Sequence, residues 1–392
     1  MDTGSLDASP IGSLVPVVGP DPTTHQTVRG KAFLPDRLPD ELTLSTATWN
    51  KISGATAALA RLDGSARHIP NPALLRRPAL RREAQSTSAL EGTYAPFADV
   101  LAADREDKRN MSAELIEILN FEEMAELAFS WPEERAWTLG MLGELQNTLV
   151  RGTASELADA GGLRDRIVVI GPPGRSLEEA RFVPPPPGDQ LRAEVEALLA
   201  WIAEPPDLPH VVQAALAHYQ FETLHPYSDG NGRLGRLLVI MQLLRGALIR
   251  EPLLVVSPWF ERHRAEYQDE LLALSRDGAW DRWISFFAEG VIASAGASQK
   301  KVEDLVDLQR RLRETVQKAR RRGAAEQLAA DLVGTPYVTG RDVAARYGLS
   351  RPGAHFAITT LVELGILEDA GATDSRGGHI HVAREVVQVV SA

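Results

Sequence analysis

Twelve consecutive residues, HPYSDGNGRLGR at 225–236, bring one histidine, one aspartate, two arginines and three glycines together. Each type suits a separate task around a phosphate. Gly230 and Gly232, with Asn231 between them, free the main chain to turn tightly. The amphipathic residues that follow place a first helical turn at 230–233, whose N–H groups make an anion site. Arg233 and Arg236 lie three apart on one helix face, where guanidinium forks can grip further phosphate oxygens. Asp229 supplies a carboxylate for Mg²⁺, whose other ligands would be phosphate oxygens and water. His225 can serve as a general base near neutral pH. Base, metal ligand, anion nest and two arginines together describe transfer of a nucleotidyl or phosphoryl group. An ordinary interhelical turn accounts for the glycines and the asparagine but not for the coincidence of all these types. Neither the Lys-Ser/Thr that ends a P-loop nor the HExxH of zinc enzymes is present.

The elements that must position this loop read as mainly helical. Leu42, Trp49, Ile52, Ala55, Leu59 and Leu62 recur at helical spacing and predict a helix over 41–64, broken by Pro70, Pro72 and Pro78. Further helices are expected at 81–92, 111–127 and 132–151. Residues 161–187 differ. RDRIVVIGPPG holds the β-branched run Ile167, Val168, Val169 and Ile170, closed by Gly171 and two prolines, and ARFVPPPPG offers a second extended piece. A β-hairpin flap is the expectation. Four prolines at 184–187 hold an extended lead into a helix at 190–204. A helix through 211–224 enters the loop, and Leu234, Leu237, Leu238, Met241, Leu244 and Leu248 face one core after it.

Helices at 261–275 and 280–295 follow, then a charged stretch at 299–323 that reads as an exposed connecting helix and a domain boundary. The last segment runs helix, turn at Gly348, helix capped by Ser350, strand, glycine-rich turn, strand, the order of a winged helix-turn-helix. The expected organisation is a flexible tail at 1–30, an N-terminal helical region at 31–110, a catalytic core at 111–299, a linker helix at 300–330 and the winged domain at 331–392.

Composition narrows the function. A chain of 392 residues with 44% hydrophobic residues can bury more than one core. It has no cysteine, which excludes disulfides, thiolate metal sites and thiol nucleophiles and fits a reducing compartment. The longest apolar runs fall far short of a membrane span and the start of the chain carries no leader-like pattern, so a cytoplasmic protein without membrane attachment is expected. A net charge of −11 argues against attraction of nucleic acid over the whole surface.

The stretch at 225–236 closely resembles the signature of the Fic family, His-Pro-Phe-x-Asp/Glu-Gly-Asn-Gly-Arg-x-x-Arg, with Tyr227 in place of Phe. RIVVIG and ARFVPPPP resemble that family's flap strand and the proline run after it, and NFEEMAE at 120–126 resembles the helix that precedes them. Thr87-Ser88-Ala89-Leu90-Glu91-Gly92 fits the inhibitory pattern Ser/Thr-x-x-x-Glu-Gly/Asn of members that carry their inhibitory helix ahead of the core. The resemblance extends from about Phe33 to the end.

It implies AMPylation, the transfer of AMP from ATP to a Ser, Thr or Tyr hydroxyl of a protein target or of the enzyme itself. In that scheme His225 deprotonates the acceptor, Asp229 holds Mg²⁺, Asn231 and the backbone at Gly230 and Gly232 contact the α-phosphate, and Arg233 and Arg236 hold the outer phosphates. The flap, Ile167 to Gly171, would pin an extended target segment by strand addition. Glu91 would draw Arg236 away from the γ-phosphate and so inhibit. Two positions depart from the family: His263 stands where Asn is common, and Gln146 where the helix before the flap often has His. The alternatives are transfer of another moiety (UMP, phosphate or phosphocholine), or a DNA-binding regulator that uses the core as a nucleotide sensor. Residues 331–392 carry five arginines and no lysine against seven acidic residues, so protein docking or homodimer formation ranks ahead of DNA, for which binding is expected to be weak.

Overall fold

The computed structural model describes residues 3–67, 71–105, 110–132, 134–171 and 176–391. Pro70, expected to break a helix, and Pro172 and Pro173, expected to close the flap run, lie outside them. The chain begins with α1 (Thr3–Leu6), β1 (Gly12–Pro20), β2 (Thr27–Pro35), α2 (Thr46–Arg67), α3 (Ala73–Leu90) and α4 (Phe97–Ala102). Then come α5 (Ala113–Ser130), α6 (Leu139–Val150), α7 (Asp189–Ala203), α8 (His210–Leu224), α9 (Asn231–Arg245), α10 (Ser257–Arg262) and α11 (Arg264–Asp277). It ends with α12 (Trp280–Lys318), α13 (Ala324–Asp331), β3 (Tyr337–Thr339), α14 (Gly340–Tyr347), α15 (Arg351–Glu363), β4 (Glu368–Thr373), β5 (His379–Val382) and α16 (Arg384–Ser391). The fold is mainly α with small antiparallel sheets, as the sequence predicts.

These elements form two compact units, one of Met1–Ala60, Asn120–Arg250 and Val256–Ala293, the other of Arg61–Leu119, Glu251–Val255 and Ser294–Ala392. The first unit contains the loop at 225–230. Its centre is the pair α8 and α9, which Gly235 lets approach closely: a Cβ there would stand 2.6 Å from Glu222 Oε1 and 3.2 Å from Phe221 Cδ1. On α8, Ala215 accepts the indole N–H of the buried Trp283 at 2.9 Å, and His218 is ringed by Phe260, Tyr267, Trp283 and Phe287.

The flexible tail expected at 1–30 is instead an ordered hairpin. β1 and β2 pair antiparallel from Gly12↔Pro35 to Pro20↔Thr27. Prolines at 16, 20 and 35 are tolerated because a two-stranded ribbon has only edge strands. The hairpin supports the flap. Val17 and Ala32 pack with Ile167, Leu177, Ala180 and Val183, Phe33 packs with Phe182 and Leu6, and the Phe33 N–H donates to Val183 O at 2.9 Å. Gly30 lies so close to Leu177 that a Cβ would meet its Cδ2 at 2.5 Å.

The flap has less regular structure than the sequence predicts: one antiparallel bridge, Ile170 with Phe182, through bonds of 2.9 and 3.0 Å. Other expected boundaries also move. Pro78 does not break a helix but lies inside α3. α6 begins at Leu139, where Thr138 caps Met141 N at 3.1 Å, and not at 132. The helix expected at 261–275 is split into α10 and α11 at His263.

In the second unit the separate linker helix expected at 300–330 is absent, since α12 continues unbroken for 39 residues from Trp280. Its charged half buries Val302, Leu305, Leu308, Leu312 and Val316, a helical stripe among the charges. The segment after it follows the predicted order. Thr339 and Asp342 form a capping box at the start of α14, Gly348 ends it in the left-handed region, Ser350 caps α15, and the strands form one sheet in the order β3-β5-β4. Among the described residues no helix is long and apolar enough to cross a membrane.

Asp21 anchors the hairpin to the flap region. Its Oδ1 accepts the Thr23 and Thr24 N–H groups at 2.9 Å, and Oδ2 accepts the Leu177 N–H at 2.8 Å. The Leu177 bond first, then the Thr24 bond, hold this carboxyl below the usual carboxylate range. A lowered native value means that its stabilisation is complete above the unfolded value of about 3.9 and is lost as pH falls through the native one. The melting-temperature gap between wild type and Asp21→Asn is therefore expected to be largest near neutral pH and to close on acidification. A gap independent of pH would refute the anchor.

Candidate functional site

The chain interrupts itself at 225–230 because both ends of the loop sit in left-handed backbone. α8 stops at His225, whose φ of 47° and ψ of 59° place a non-glycine residue in the αL region, at a cost of about 1–3 kcal/mol that surrounding contacts must offset. Pro226 cannot extend the helix. Gly230 restarts it with φ +84°, and a Cβ there would meet Leu149 Cδ2 at 2.7 Å. Glycine is thus required twice over. The main-chain N–H groups of Asn231, Gly232 and Arg233 form the first turn of α9, where helix N–H groups lack intrahelical acceptors. The helix start expected from the sequence near residue 230 is present.

The Asn231 side chain has another task. Its Nδ2 donates to Tyr227 O at 2.8 Å and its Oδ1 accepts the Tyr227 N–H at 2.9 Å, so it clamps both main-chain groups of one loop residue. Asn231 is buried, and its carboxamide shapes the loop.

His225 is half-buried. Its Nδ1 lies 3.2 Å from Glu222 O. A carbonyl can only accept, so this bond puts the ring proton on Nδ1 and leaves Nε2 as the basic nitrogen. Asp229 has both carboxylate oxygens engaged: Oδ1 with the Gly230 N–H at 2.5 Å and with Arg233 Nη2 at 3.2 Å, Oδ2 with the Ser155 hydroxyl. About 40% of its side chain remains exposed. As a single hard-oxygen donor beside the first turn of α9 it fits Mg²⁺, which binds through one or two carboxylates plus phosphate and water. Among the described residues no three His, Asp or Glu side chains gather as a closed metal site.

Arg233 and Arg236 lie one turn apart on α9, and each is only 2% exposed. Burial, and then the charge of Arg236, push His218 down to about 3, so that imidazole stays neutral at neutral pH. The flap residues divide by environment: Ile167 is buried, Val168, Val169 and Ile170 are half-buried, and Gly171 is exposed with φ +155°. Thr87, Glu91 and Gly92 belong to the other unit. Thr87 is buried within α3, Glu91 is that helix's C-cap residue, and Gly92, at φ +97°, ends it.

Four contributors were not legible as such in the sequence. Gln146 bridges Asp229 O, at 3.2 Å from Nε2, and the Gly161 N–H, at 2.6 Å from Oε1. Ser155 and Asp159 reach the loop from the segment after α6, Asp159 through the Ser228 hydroxyl at 2.5 Å. Arg164, 2% exposed, bonds through its side chain only main-chain carbonyls among the described residues: His225 O at 2.8 Å, Pro185 O at 2.5 Å, Arg166 O at 3.1 Å and Leu224 O at 3.4 Å. A lone arginine ahead of a β-branched run carries no spacing signal that would have found it.

The same segments align with known proteins. A model described as the Fic/DOC family N-terminal region matches residues 49–130, and the Fic/DOC family model matches 136–243. A protein named protein adenylyltransferase Fic from Culex quinquefasciatus is 36% identical over 109 residues, 27% of this chain and 20% of that one. The protein of the same name from Nematostella vectensis is 42% identical over 65 residues, covering 16% of this chain and 15% of that one. The matched segments thus span a fifth or less of these relatives' length. Among solved structures, a Fic family protein from Desulfovibrio desulfuricans superimposes with a TM-score of 0.56 at 19% identity, covering 87% of this chain and 97% of that one. Fic-1 from C. elegans does so at 0.51 and 17%, covering 66% and 74%. Two family models in succession along one chain, over a fold that solved relatives share, identify the chain as a member of the Fic/DOC family.

Proposed function

We propose that this protein is an adenylyltransferase that moves AMP from ATP to a hydroxyl of a protein target or of itself. The observation that carries the proposal is the orientation of His225, the residue that ends α8 and leads the loop into α9: with Nδ1–H committed to Glu222 O, Nε2 is left as the basic atom. In the proposed step Nε2 takes the hydroxyl proton, the oxygen bonds to the α-phosphorus, and the bond from that phosphorus to the bridging oxygen breaks, releasing pyrophosphate. The backbone turn at 230–233 would bind the phosphate oxygens, with Arg233 and Arg236 beside it. Mg²⁺ at Asp229 would supply charge neutralisation of the polyphosphate. The relatives named protein adenylyltransferase support AMP as the moiety.

The flap would hold the target in extended form, and the packing of the β1–β2 hairpin beneath Ile167 and Phe182 supports a rigid flap base. The DNA-binding alternative is weakened by the arginines it would need. Arg341 faces Asp374 at 3.7 Å and Arg346 donates to Thr335 Oγ1 at 2.9 Å. The proposal includes inhibition by Glu91 acting on Arg236, on the strength of the pattern Thr87 to Gly92.

Self-labelling with each labelled nucleotide and Mg²⁺ tests these roles. His225→Ala is expected to lower transfer by about 10²- to 10⁴-fold while ATP binding, measured by calorimetry, stays near wild type; undiminished labelling would remove His225 as the base. Asp229→Ala is expected to abolish the Mg²⁺ dependence of polyphosphate binding. Glu91→Gly is expected to raise the rate by about 5- to 150-fold, the range of a typical coupling between sites. Equal rates for wild type and Glu91→Gly would refute the inhibitory role, and a preference for UTP over ATP would replace the transferred group.

A further inference from the structure

We propose that Arg164 is the positioning residue of the site: its buried guanidinium fixes the pose of His225 and joins the catalytic loop to the root of the flap. The inference rests on the transferase reading above and goes beyond it to a residue outside the family signature. Among the described residues every side-chain bond of Arg164 ends on a main-chain carbonyl, and those carbonyls come from three segments. Leu224 and His225 are the end of α8, Pro185 belongs to the proline run, and Arg166 opens the flap strand. The Arg164 main-chain N–H adds a bond to Pro226 O at 3.0 Å. Loop, proline run and flap therefore share one planar fork, the geometry that a guanidinium holds and an ammonium does not.

Two physical features favour this fork over a merely structural one. First, the carbonyls of Leu224 and His225 stand at the C-terminus of the 15-residue helix α8, the negative end of its dipole, which favours a cation there. Burial pulls the guanidinium down to about 10, still protonated at neutral pH. Second, the anchored carbonyl belongs to His225 itself, whose left-handed conformation needs outside contacts to persist. Holding that carbonyl restrains ψ of the residue whose ring must meet the acceptor hydroxyl. Because the same fork holds Arg166 O and Pro185 O, movement of the flap root when a target docks is transmitted to His225.

The test compares wild type, Arg164→Gln and Arg164→Lys by thermal melting, ATP dissociation constant, single-turnover self-labelling at saturating ATP, and amide hydrogen exchange. A positioning role separates rate from binding, since the phosphate contacts lie on α9. Arg164→Gln is expected to lose on the order of 10²-fold in rate with the ATP dissociation constant changed by less than about threefold, and Arg164→Lys to regain part of the rate. Exchange is expected to rise together in residues 164–171 and 224–230. A wild-type rate in the folded Gln variant would overturn the proposal, as would rate and affinity falling together with no recovery by Lys. If Arg164→Gln does not fold, Arg164→Lys decides: wild-type rate and exchange overturn the proposal, and a reduced rate with unchanged affinity supports it. If wild type labels nothing with any nucleotide, the transferase reading fails. Exchange then judges Arg164 alone, with joint loss of protection in both segments supporting the coupling and unchanged protection refuting it.

Discussion

The constraint on which the site depends is the turn between α8 and α9, made by two left-handed residues five positions apart, His225 and Gly230. A glycine adopts that conformation without penalty; a histidine does not. Everything near the loop serves to hold it. Asn231 grips both main-chain groups of Tyr227, Gln146 holds Asp229 O, the Ser155 hydroxyl holds the Asp229 carboxylate, and Arg164 holds His225 O. Buried polar groups of this kind are stable only when their partners are complete, and partial networks are costlier than apolar packing. The loop is thus restrained by bonds from several segments.

The loop was legible in the sequence because it is made of local chemistry. Proline after histidine, glycine at a positive φ and a helix restarting at Asn231 are each encoded within four or five residues. The roles proposed for His225, Asp229 and the first turn of α9 follow from residue type. The role of Asn231 does not. A buried carboxamide bonding a backbone four residues earlier looks, in sequence, the same as one aimed at a ligand. The roles of Gln146 and Arg164 were missed for a similar reason: apart from Arg166 O, the partners of their side chains lie 15 to 83 positions away, and no spacing rule reaches that far.

The hairpin at 12–35 was misread for a different reason. GSLVPVVGP and TVRGKAFLP carry glycine and proline at the density of a loop, and of their residues only Val17, Ala32, Phe33 and Pro35 are buried. A two-stranded ribbon packed on one face needs few apolar residues, so its alternation is faint. Its stability comes instead from tertiary anchors, the Asp21 bonds and the Phe33 to Val183 bond. The long α12 was misread in the opposite sense. Its charges predict exposure, while Val302, Leu305, Leu308, Leu312 and Val316 fall on one face between them and decide the packing.

Charge supplies the last step of the argument. The loop is where the C-terminus of α8 and the N-terminus of α9 come together, so the negative end of one helix dipole and the positive end of another meet within six residues. Each end selects its own counter-charge. The α8 end takes Arg164, which bonds the Leu224 and His225 carbonyls without a carboxylate of its own. The α9 end takes Asp229, whose carboxylate accepts the Gly230 N–H. An incoming polyphosphate would compete with Asp229 for the same N–H groups and for Arg233, a competition that Asp229 could escape by holding a divalent cation that neutralises the phosphates. On the other side no such exchange is available to Arg164, which is buried and keeps its carbonyls. In the proposed reaction the α9 end would exchange its counter-charge, whereas the α8 end keeps Arg164.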